Sequence, residues 1–190
     1  MATYTVGYLV GSISSDSINR TLANALIRLA PAELRFVEVE IADLPLYRRD
    51  YDSGFPRECV ALKTAIEATD AILFVTPEYN RSIPGALKNA IDWASRPSGR
   101  NSFARKPSGV IGASTGKIGT AVAQQHLKSI LSFCNSPLFN SVEAYIQFDP
   151  EVFSPDGDVR NPSTATFLRD YMLGFRDFVE RVLTVLPRHG

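Results

Sequence analysis

The stretch that decides the fold of this chain reads Thr76-Pro77-Glu78-Tyr79-Asn80-Arg81-Ser82-Ile83-Pro84-Gly85-Ala86-Leu87-Lys88-Asn89-Ala90-Ile91-Asp92-Trp93. It follows five apolar residues, 71–75, which are typical of a buried strand. Its second half has apolar residues at helical spacing, at Leu87, Ala90, Ile91 and Ala94. Pro77 and Pro84 restrict the polar residues between these elements, which predicts a rigid loop joining a strand to a helix. Loops at this edge of a parallel sheet bind cofactors, and Tyr79 suits a planar, hydrogen-bonding ring.

The segment resembles the flavin-contacting loop of the NADPH-dependent FMN reductase family, whose pattern is T-P-E-Y-N-x-S-x-P-G-x-L-K-N-A-I-D-W. That family has a flavodoxin-like fold and includes bacterial quinone, chromate and azo-dye reductases. The resemblance covers about residues 4–148. It implies FMN as a non-covalent cofactor, NADPH or NADH as co-substrate, and ping-pong transfer of two electrons to a small-molecule acceptor. It also implies a homodimer or homotetramer.

Size and charge restrict the remaining classes of function. The chain has 190 residues, which we interpret as one domain spanning 1–190. Lysine and arginine together number 20 and so do aspartate and glutamate, so no net field attracts nucleic acid or an anionic membrane. We find no signal-peptide pattern, no membrane-length apolar run and no metal-ligand spacing at Cys59 or Cys134. These observations predict a cytoplasmic protein with two reduced thiols.

Strand and helix patterns alternate along the whole chain. The predicted strands cover about residues 4–10, 34–41, 71–75, 109–113 and 141–148. Helical stripes follow them, beginning at Ile18, around Leu62, at Leu87 and over 118–133, and the last helix carries an aromatic stripe through Tyr171 and Phe175. Residues 44–55 and 149–162 are predicted to be loops. Five such units predict a doubly wound α/β fold, a five-stranded parallel sheet of order 2-1-3-4-5 with helices on both faces.

The loop after the first strand is the candidate phosphate site. Its hydroxyl and N–H groups gather where a helix begins, and the helix dipole favours an anion there. The candidate ligands in this loop are Gly11, Ser12, Ser14, Ser17, Ile18 and Asn19. The same residue types also start ordinary helices, so a simple Ser/Asn-rich cap is the alternative. No G-x-G-x-x-G pattern is present, which disfavours a Rossmann dinucleotide site.

The phosphate loop of the family usually reads G-S-x-R-x-x-S-x-N. The chain has Ser14 where that arginine is common, and it adds Asp16. A lost charge-assisted contact weakens phosphate binding by on the order of 1–3 kcal/mol. The spacing of Arg20 favours a position along the helix, and compensation for the missing arginine is the alternative. A relative that has lost FMN affinity is therefore one alternative, and an FMN-binding electron carrier or redox sensor with little turnover is another.

Two further loops are implied to hold the isoalloxazine ring. The first supplies Pro77, Glu78, Tyr79 and Asn80, largely through backbone groups. The second is Ser114, Thr115, Gly116 and Lys117, which resembles the family pattern S-x-G-x-x-G-G. Thr120 and Val122 depart from that pattern, which leaves open the preference for NADPH or NADH. Lys117 either meets the 2′-phosphate of NADPH or is solvated.

No side chain is assigned a catalytic role, because the flavin N5 carries the hydride. Glu78 has an alternative interpretation as a general base. His126 is predicted to be a partly buried structural or interface residue, and neither His126 nor His189 has a nucleophile-elbow context. Trp93 is predicted to serve loop anchoring and subunit contact, and a wall of the substrate pocket is the alternative.

Overall fold

A computed structural model describes residues 2–186, so residues 1 and 187–190 of the predicted domain, including His189, lie outside the described part. The chain folds around one parallel sheet of five strands in the order β2-β1-β3-β4-β5. The strands are β1 (Tyr4–Val10), β2 (Leu34–Glu38), β3 (Ala71–Val75), β4 (Ser108–Ser114) and β5 (Tyr145–Gln147). This order confirms the predicted flavodoxin-like topology, in which β1 and β3 lie side by side.

Five α-helices join and cover the strands. They are α1 (Ile18–Leu29), α2 (Arg57–Glu67), α3 (Gly85–Ala94), α4 (Ala121–Phe133) and α5 (Pro162–Val185). Local chemistry explains where the longest helix starts, since the Asn161 side chain accepts from the Thr164 N–H and proline occupies the first helical position. Within residues 2–186, no helix has both the length and the apolar composition to cross a bilayer.

The sheet separates two apolar cores. All five residues of β3 are buried, as expected for a central strand covered on both faces. One core packs alternate strand residues such as Val6 and Leu73 against α1 and α5. The other packs Leu9 and Phe74 against α2, α3 and α4. The aromatic stripe of α5 belongs to the first core, where Tyr171 and Phe175 are fully buried.

Several predicted boundaries are wrong by a few residues. Strand 2 was expected to reach residue 41 but ends at Glu38. The Val39 N–H still donates to the Tyr8 carbonyl at 2.9 Å, after which the chain turns inward and buries Ile41. Strand 5 is only Tyr145–Gln147. Helix α4 begins at Ala121 and not near 118, because the Gly119 N–H closes a turn onto the Gly116 carbonyl at 3.0 Å.

The segment 44–55 is more ordered than a simple polar loop, since Arg49–Ser53 forms a 3₁₀ turn. Trp93 of α3 lies beneath it with no exposed surface, and its Nε1–H donates to the Pro45 carbonyl at 2.6 Å. The rings of Tyr47 and Phe55 pack edge-on against the indole. The interpretation of Trp93 as a pocket wall is therefore wrong, because the segment covers the indole, whereas its interpretation as a loop anchor is confirmed.

Candidate functional site

The three predicted loops meet at the carboxyl edge of the sheet. Val10 of β1 pairs with Val75 of β3, which in turn pairs with Ile111 of β4. The ladder continues into the loops, since the Gly11 N–H donates to the Val75 carbonyl at 2.8 Å and the Thr76 N–H to the Ile111 carbonyl at 3.0 Å. The loops after β1, β3 and β4 therefore start side by side, at the topological switch point.

The bases of these loops are too close together to admit extra side-chain atoms. A Cβ added at Gly11 would lie 2.9 Å from the Thr76 hydroxyl and 3.2 Å from Pro77. At Gly112 an added Cβ would overlap the Thr76 carbonyl oxygen and the Thr120 hydroxyl. The two glycines thus allow the loops after β1, β3 and β4 to pack against one another, and Gly112 was not singled out from the sequence.

The sequence left open whether the loop after β1 is a phosphate site or an ordinary Ser/Asn-rich helix cap, and the loop has features of both. Ser17 is the N-cap of α1, and its hydroxyl oxygen accepts from the Arg20 N–H at 3.4 Å. The same hydroxyl keeps its own proton for donation to a ligand. Ser12 is 6% exposed and accepts from the Ser14 N–H at 3.3 Å. Because the first turn of α1 holds no acidic residue, its dipole is available to an anion.

Asn19 has a different position from the one that the sequence suggested. It is 1% exposed, its Nδ2 donates to the Ala113 carbonyl at 3.0 Å, and its Oδ1 accepts from the Ala113 N–H at 2.9 Å. Both ends of the amide therefore bind the backbone of β4 and not the solvent-facing side of the loop. We correct its assignment from phosphate donor to a residue that ties α1 to the carboxyl end of β4.

Arg20 pairs with β2 while it lines the same cavity as Ser12 and Ser14 of the loop. Its guanidinium lies 2.7 Å from the Glu38 carboxylate, which also accepts from the Tyr8 hydroxyl at 3.0 Å. Burial and the hydrogen bond to Glu38 raise the pKa of Tyr8 to about 12. Arg20 thus has one carboxylate partner on β2, and whether it also serves the phosphate loop stays a prediction.

The loop after β3 carries a two-residue hairpin. The Tyr79 N–H donates to the Ser82 carbonyl at 2.9 Å, and the Ser82 N–H donates back to the Tyr79 carbonyl at 3.0 Å. Asn80 and Arg81 complete the turn at φ 50° and 64°, in the left-handed region. The hairpin leaves Tyr79 49% exposed at the site.

Glu78 binds the start of α4. Its carboxylate accepts from the Ala123 N–H at 3.0 Å and from the Arg81 guanidinium at 3.0 Å, and its side chain is only 8% exposed. Thr120, the N-cap of α4, makes no side-chain capping bond, so Glu78 serves one of the N–H groups that a helix leaves without a partner. A carboxylate engaged in this way positions two loops and is poorly placed to act as a general base.

The loop after β4 is a tight, exposed turn. The Ser114 hydroxyl accepts from the Gly116 N–H at 3.1 Å, and residues 115–118 are exposed. Lys117 is among these exposed residues, which agrees with a solvated lysine and leaves it free to meet an anionic ligand. The loop after β4 therefore allows a ligand at the site to come close to its backbone groups.

Two contacts near the site had no signal in the sequence. His126 is exposed, contrary to the predicted partial burial, and its Nδ1 lies 3.2 Å from the Ser82 hydroxyl. Gln124 is fully buried and its Nε2 donates to the Ala144 carbonyl at 2.8 Å, which links α4 to the segment before β5. Among residues 2–186, no three His, Cys, Asp or Glu side chains are grouped so as to hold a metal ion.

Comparison with known proteins agrees with this architecture. The chain is 46% identical to a 2-hydroxy-1,4-benzoquinone reductase of Burkholderia over 167 residues, covering 88% of this chain and 91% of the relative. It is 41% identical to a quinone reductase of Pseudomonas putida over 178 residues, covering 93% and 95%. A solved flavoenzyme NAD(P)H:(acceptor) oxidoreductase from Paracoccus denitrificans superposes with a TM-score of 0.91 at 45% identity, covering 94% of this chain and 98% of that one.

The family model of the NADPH-dependent FMN reductases matches residues 4–151. These findings confirm the predicted enzyme class, an oxidoreductase with FMN as cofactor and NAD(P)H as co-substrate. They also confirm the resemblance carried by the loop after β3. The chain belongs to the NADPH-dependent FMN reductase family.

Proposed function

We propose that this enzyme is an NAD(P)H-dependent quinone reductase that works by a ping-pong cycle in a single site. NADPH or NADH gives up two electrons and leaves, and a flat or oxidising small molecule then takes them. Quinones are the acceptors that we favour, since two of the relatives are named for quinone reduction. We include chromate, azo compounds and free flavin as further acceptors, because an open face of a bound flavin ring admits many oxidants.

The residues at the sheet edge fit FMN. The N-terminus of α1, with Ser12 and Ser17, supplies donors for a phosphate, and the exposed Ser14 and the partly buried Ile18 complete that site. The close packing at Gly11 lets the neighbouring loops supply backbone groups. When bound, FMN supplies the two-electron chemistry that amino-acid side chains lack.

The chain's own residues position the ring and adjust its environment. We propose that the backbone of Pro77, Glu78, Tyr79 and Asn80 faces the ring from one loop. Ser114, Thr115, Gly116 and Lys117 face it from the other. Because the Glu78 carboxylate joins the first loop to α4, the N–H groups of both loops keep fixed directions. Fixed dipoles beside the reactive atoms of a cofactor set its electronics without reorganising during the reaction.

The remaining expectations stay proposals of the same kind. We propose a single domain, a homodimer or homotetramer, and a cytoplasmic location, with neither nucleic acid nor membrane as partner. The balanced charge supports the absence of nucleic acid and membrane as partners, and the buried free thiols of Cys59 and Cys134 support a reducing location. Light scattering of the purified protein would test the oligomeric state directly.

The observation that carries the function is the meeting of three family-type loops at the switch point. We would titrate the FMN-reconstituted protein anaerobically with NADPH and follow the absorbance of oxidised flavin. We expect rapid bleaching that is reversed when a quinone is added. Binding of FMN without bleaching would instead indicate a carrier or sensor, and no spectral change of FMN at any protein concentration would overturn the FMN site.

A further inference from the structure

A cavity separate from the candidate site lies at the amino edge of the sheet, opposite the three site loops. Its volume is about 480 Å³, which is within the range of small-molecule sites. The end of α2, the segment 99–106 before β4 and the last turns of α5 form its walls. Among the described residues that line it, none belongs to the site loops, so a ligand bound here is distinct from the flavin.

The acidic side chains of this cavity already have partners. The Glu67 carboxylate accepts from the Ser102 hydroxyl at 2.7 Å and lies 3.7 Å from the Lys63 ammonium. The Asp70 carboxylate accepts from the Thr5 N–H at 2.7 Å. Lys63 donates to two backbone carbonyls and to the Ser102 hydroxyl, which are as many acceptors as it has donors. These residues therefore build the wall and leave ligand binding to other groups.

Three basic residues also line the cavity, namely Arg100, Arg105 and Lys106. The Lys106 ammonium donates to the Thr69 carbonyl, a neutral acceptor that uses one of its three donors. Burial lowers the pKa of Lys106 to about 8, and the charge of Glu67 offsets only part of this effect. An anion beside Lys106 would favour its charged form, because an opposite charge compensates for lost hydration.

The backbone of the segment before β4 is strained beside Lys106. Arg105 has a φ of 65°, in the left-handed region that a non-glycine residue adopts only at a cost. Its N–H donates to the Asn135 carbonyl at 2.8 Å, and Asn135 itself has a φ of 55°. Such conformations concentrate at functional sites, where surrounding contacts maintain them. The strain is an observation independent of the charges, and it favours a functional role for this segment.

One wall of the cavity is apolar. Leu183 and Leu186 come from the end of α5, and Ala104 lies between the basic residues of the segment before β4. An inorganic anion gains nothing from such a wall. An organic carboxylate can bind the basic side chains through its oxygens and pack its carbon chain against the leucines. An apolar surface with a few polar groups that fix orientation is typical of small-molecule sites.

We propose that this cavity binds a small organic carboxylate, held by Lys106 and Arg100 and packed against Leu183 and Leu186. A carboxylate has enough lone pairs to accept from an ammonium and a guanidinium together. Binding also offsets the cost of burying the charge of Lys106, so ligand binding and protonation of this lysine reinforce each other. The site does not depend on the quinone reductase function proposed above, because the two share no lining residue among those described.

The test uses hexanoate as probe and hexanamide as a neutral control of nearly the same shape. Calorimetric titration of the FMN-loaded protein near neutral pH should show saturable binding of hexanoate and about tenfold weaker binding of hexanamide. Lys106→Met should weaken hexanoate binding about tenfold, and Arg100→Gln should also weaken it, because each variant loses a charge-assisted contact. Arg169→Gln, which removes an exposed arginine of α5, controls for total charge and should change the affinity by less than about twofold.

NMR of the lysine side chains adds a readout that a general charge effect would not move. Saturating hexanoate should raise the titration midpoint of Lys106, whose signal is identified by its loss in Lys106→Met, and leave the signal of the exposed Lys117 in place. Absence of saturable hexanoate binding would overturn the proposal, and so would equal binding of hexanamide or by Lys106→Met. Equally tight binding of inorganic phosphate would overturn it as well, because the apolar wall would then contribute nothing. A change in the visible flavin spectrum on adding hexanoate would place the ligand at the flavin and contradict a separate site.

Discussion

Ser14 is exposed in the phosphate loop, at the position where the family pattern has an arginine. The nearby Arg20 guanidinium is already paired with the Glu38 carboxylate. We predict that Ser14→Arg tightens FMN binding by on the order of 1–3 kcal/mol, about fivefold to 150-fold in Kd, because it adds a charge-assisted contact to the phosphate. Fluorescence titration of FMN would measure this change.

Ser15→Arg is the matched control for that substitution, because Ser15 is also exposed and adjoins Ser14 but is not a family position. A general effect of positive charge would tighten FMN binding equally in both variants, and that result would contradict the specific role of position 14. An unchanged Kd in Ser14→Arg would contradict it as well.

Asn89 joins two elements, α3 and the segment 44–55. Its Oδ1 accepts from the Tyr47 N–H at 2.9 Å, and its Nδ2 donates to the Pro45 carbonyl at 3.0 Å. We predict that Asn89→Ala lowers the free energy of unfolding by roughly 1–3 kcal/mol, because partly buried backbone groups lose their partner. Urea denaturation would measure the loss, and limited proteolysis should show earlier cleavage within residues 44–55.

Lys88→Ala provides the comparison for Asn89→Ala on the same helix. Lys88 pairs with Asp92 at 2.8 Å, but both side chains are at least 40% exposed, so we expect about 0.5 kcal/mol or less. Equal destabilisation in the two variants, or unchanged cleavage of the segment, would show that Asn89 does not anchor it.

The stability of the whole molecule should depend on pH through Lys106, which precedes β4 at the opposite edge of the sheet. Burial lowers the pKa of Lys106 from 10.5 to about 8, although Glu67 partly offsets this effect. Between pH 8 and 10.5 the unfolded chain therefore binds more protons at this residue than the folded chain does. The contribution of Lys106 to stability is unfavourable below pH 8 and improves as the pH rises through that window.

We predict that Lys106→Met gains stability relative to the native protein near pH 7 and that this advantage shrinks between pH 8 and 10. Urea denaturation of both proteins across this range would measure the difference. The Thr69 carbonyl loses its Lys106 donor in the variant, which adds a constant offset and leaves the slope unaffected. Parallel profiles would contradict the lowered pKa.

The fold and the place of the site were predictable because their signals are local. An all-apolar five-residue run is enough to predict β3 as a central strand, and two prolines with a helical stripe predict the loop and α3 after it. Once strands and helices alternate, few topologies remain, and the carboxyl ends of β1, β3 and β4 have to meet. The structure brings the three candidate loops together at that edge of the sheet.

The hairpin had no comparable signal. Left-handed pairs usually contain glycine, whereas Asn80-Arg81 does not, so the turn depends on Glu78 and Ser82 binding α4. Strand and helix ends were also misplaced where a hydrogen bond from another element, such as that of Val39 to Tyr8, controls where the chain turns.

The order of elements, the family and the three loops are thus properties of the linear chain, since periodicity and a long motif encode them. The individual roles of Asn19, Glu78 and Trp93 are not encoded in the linear chain in this way. Asn19 binds a residue 94 positions away, Glu78 one 45 positions away and Trp93 one 48 positions away. Such bonds depend on how separate elements pack. The residue types alone are equally compatible with a phosphate ligand at Asn19, a general base at Glu78 and a pocket wall at Trp93.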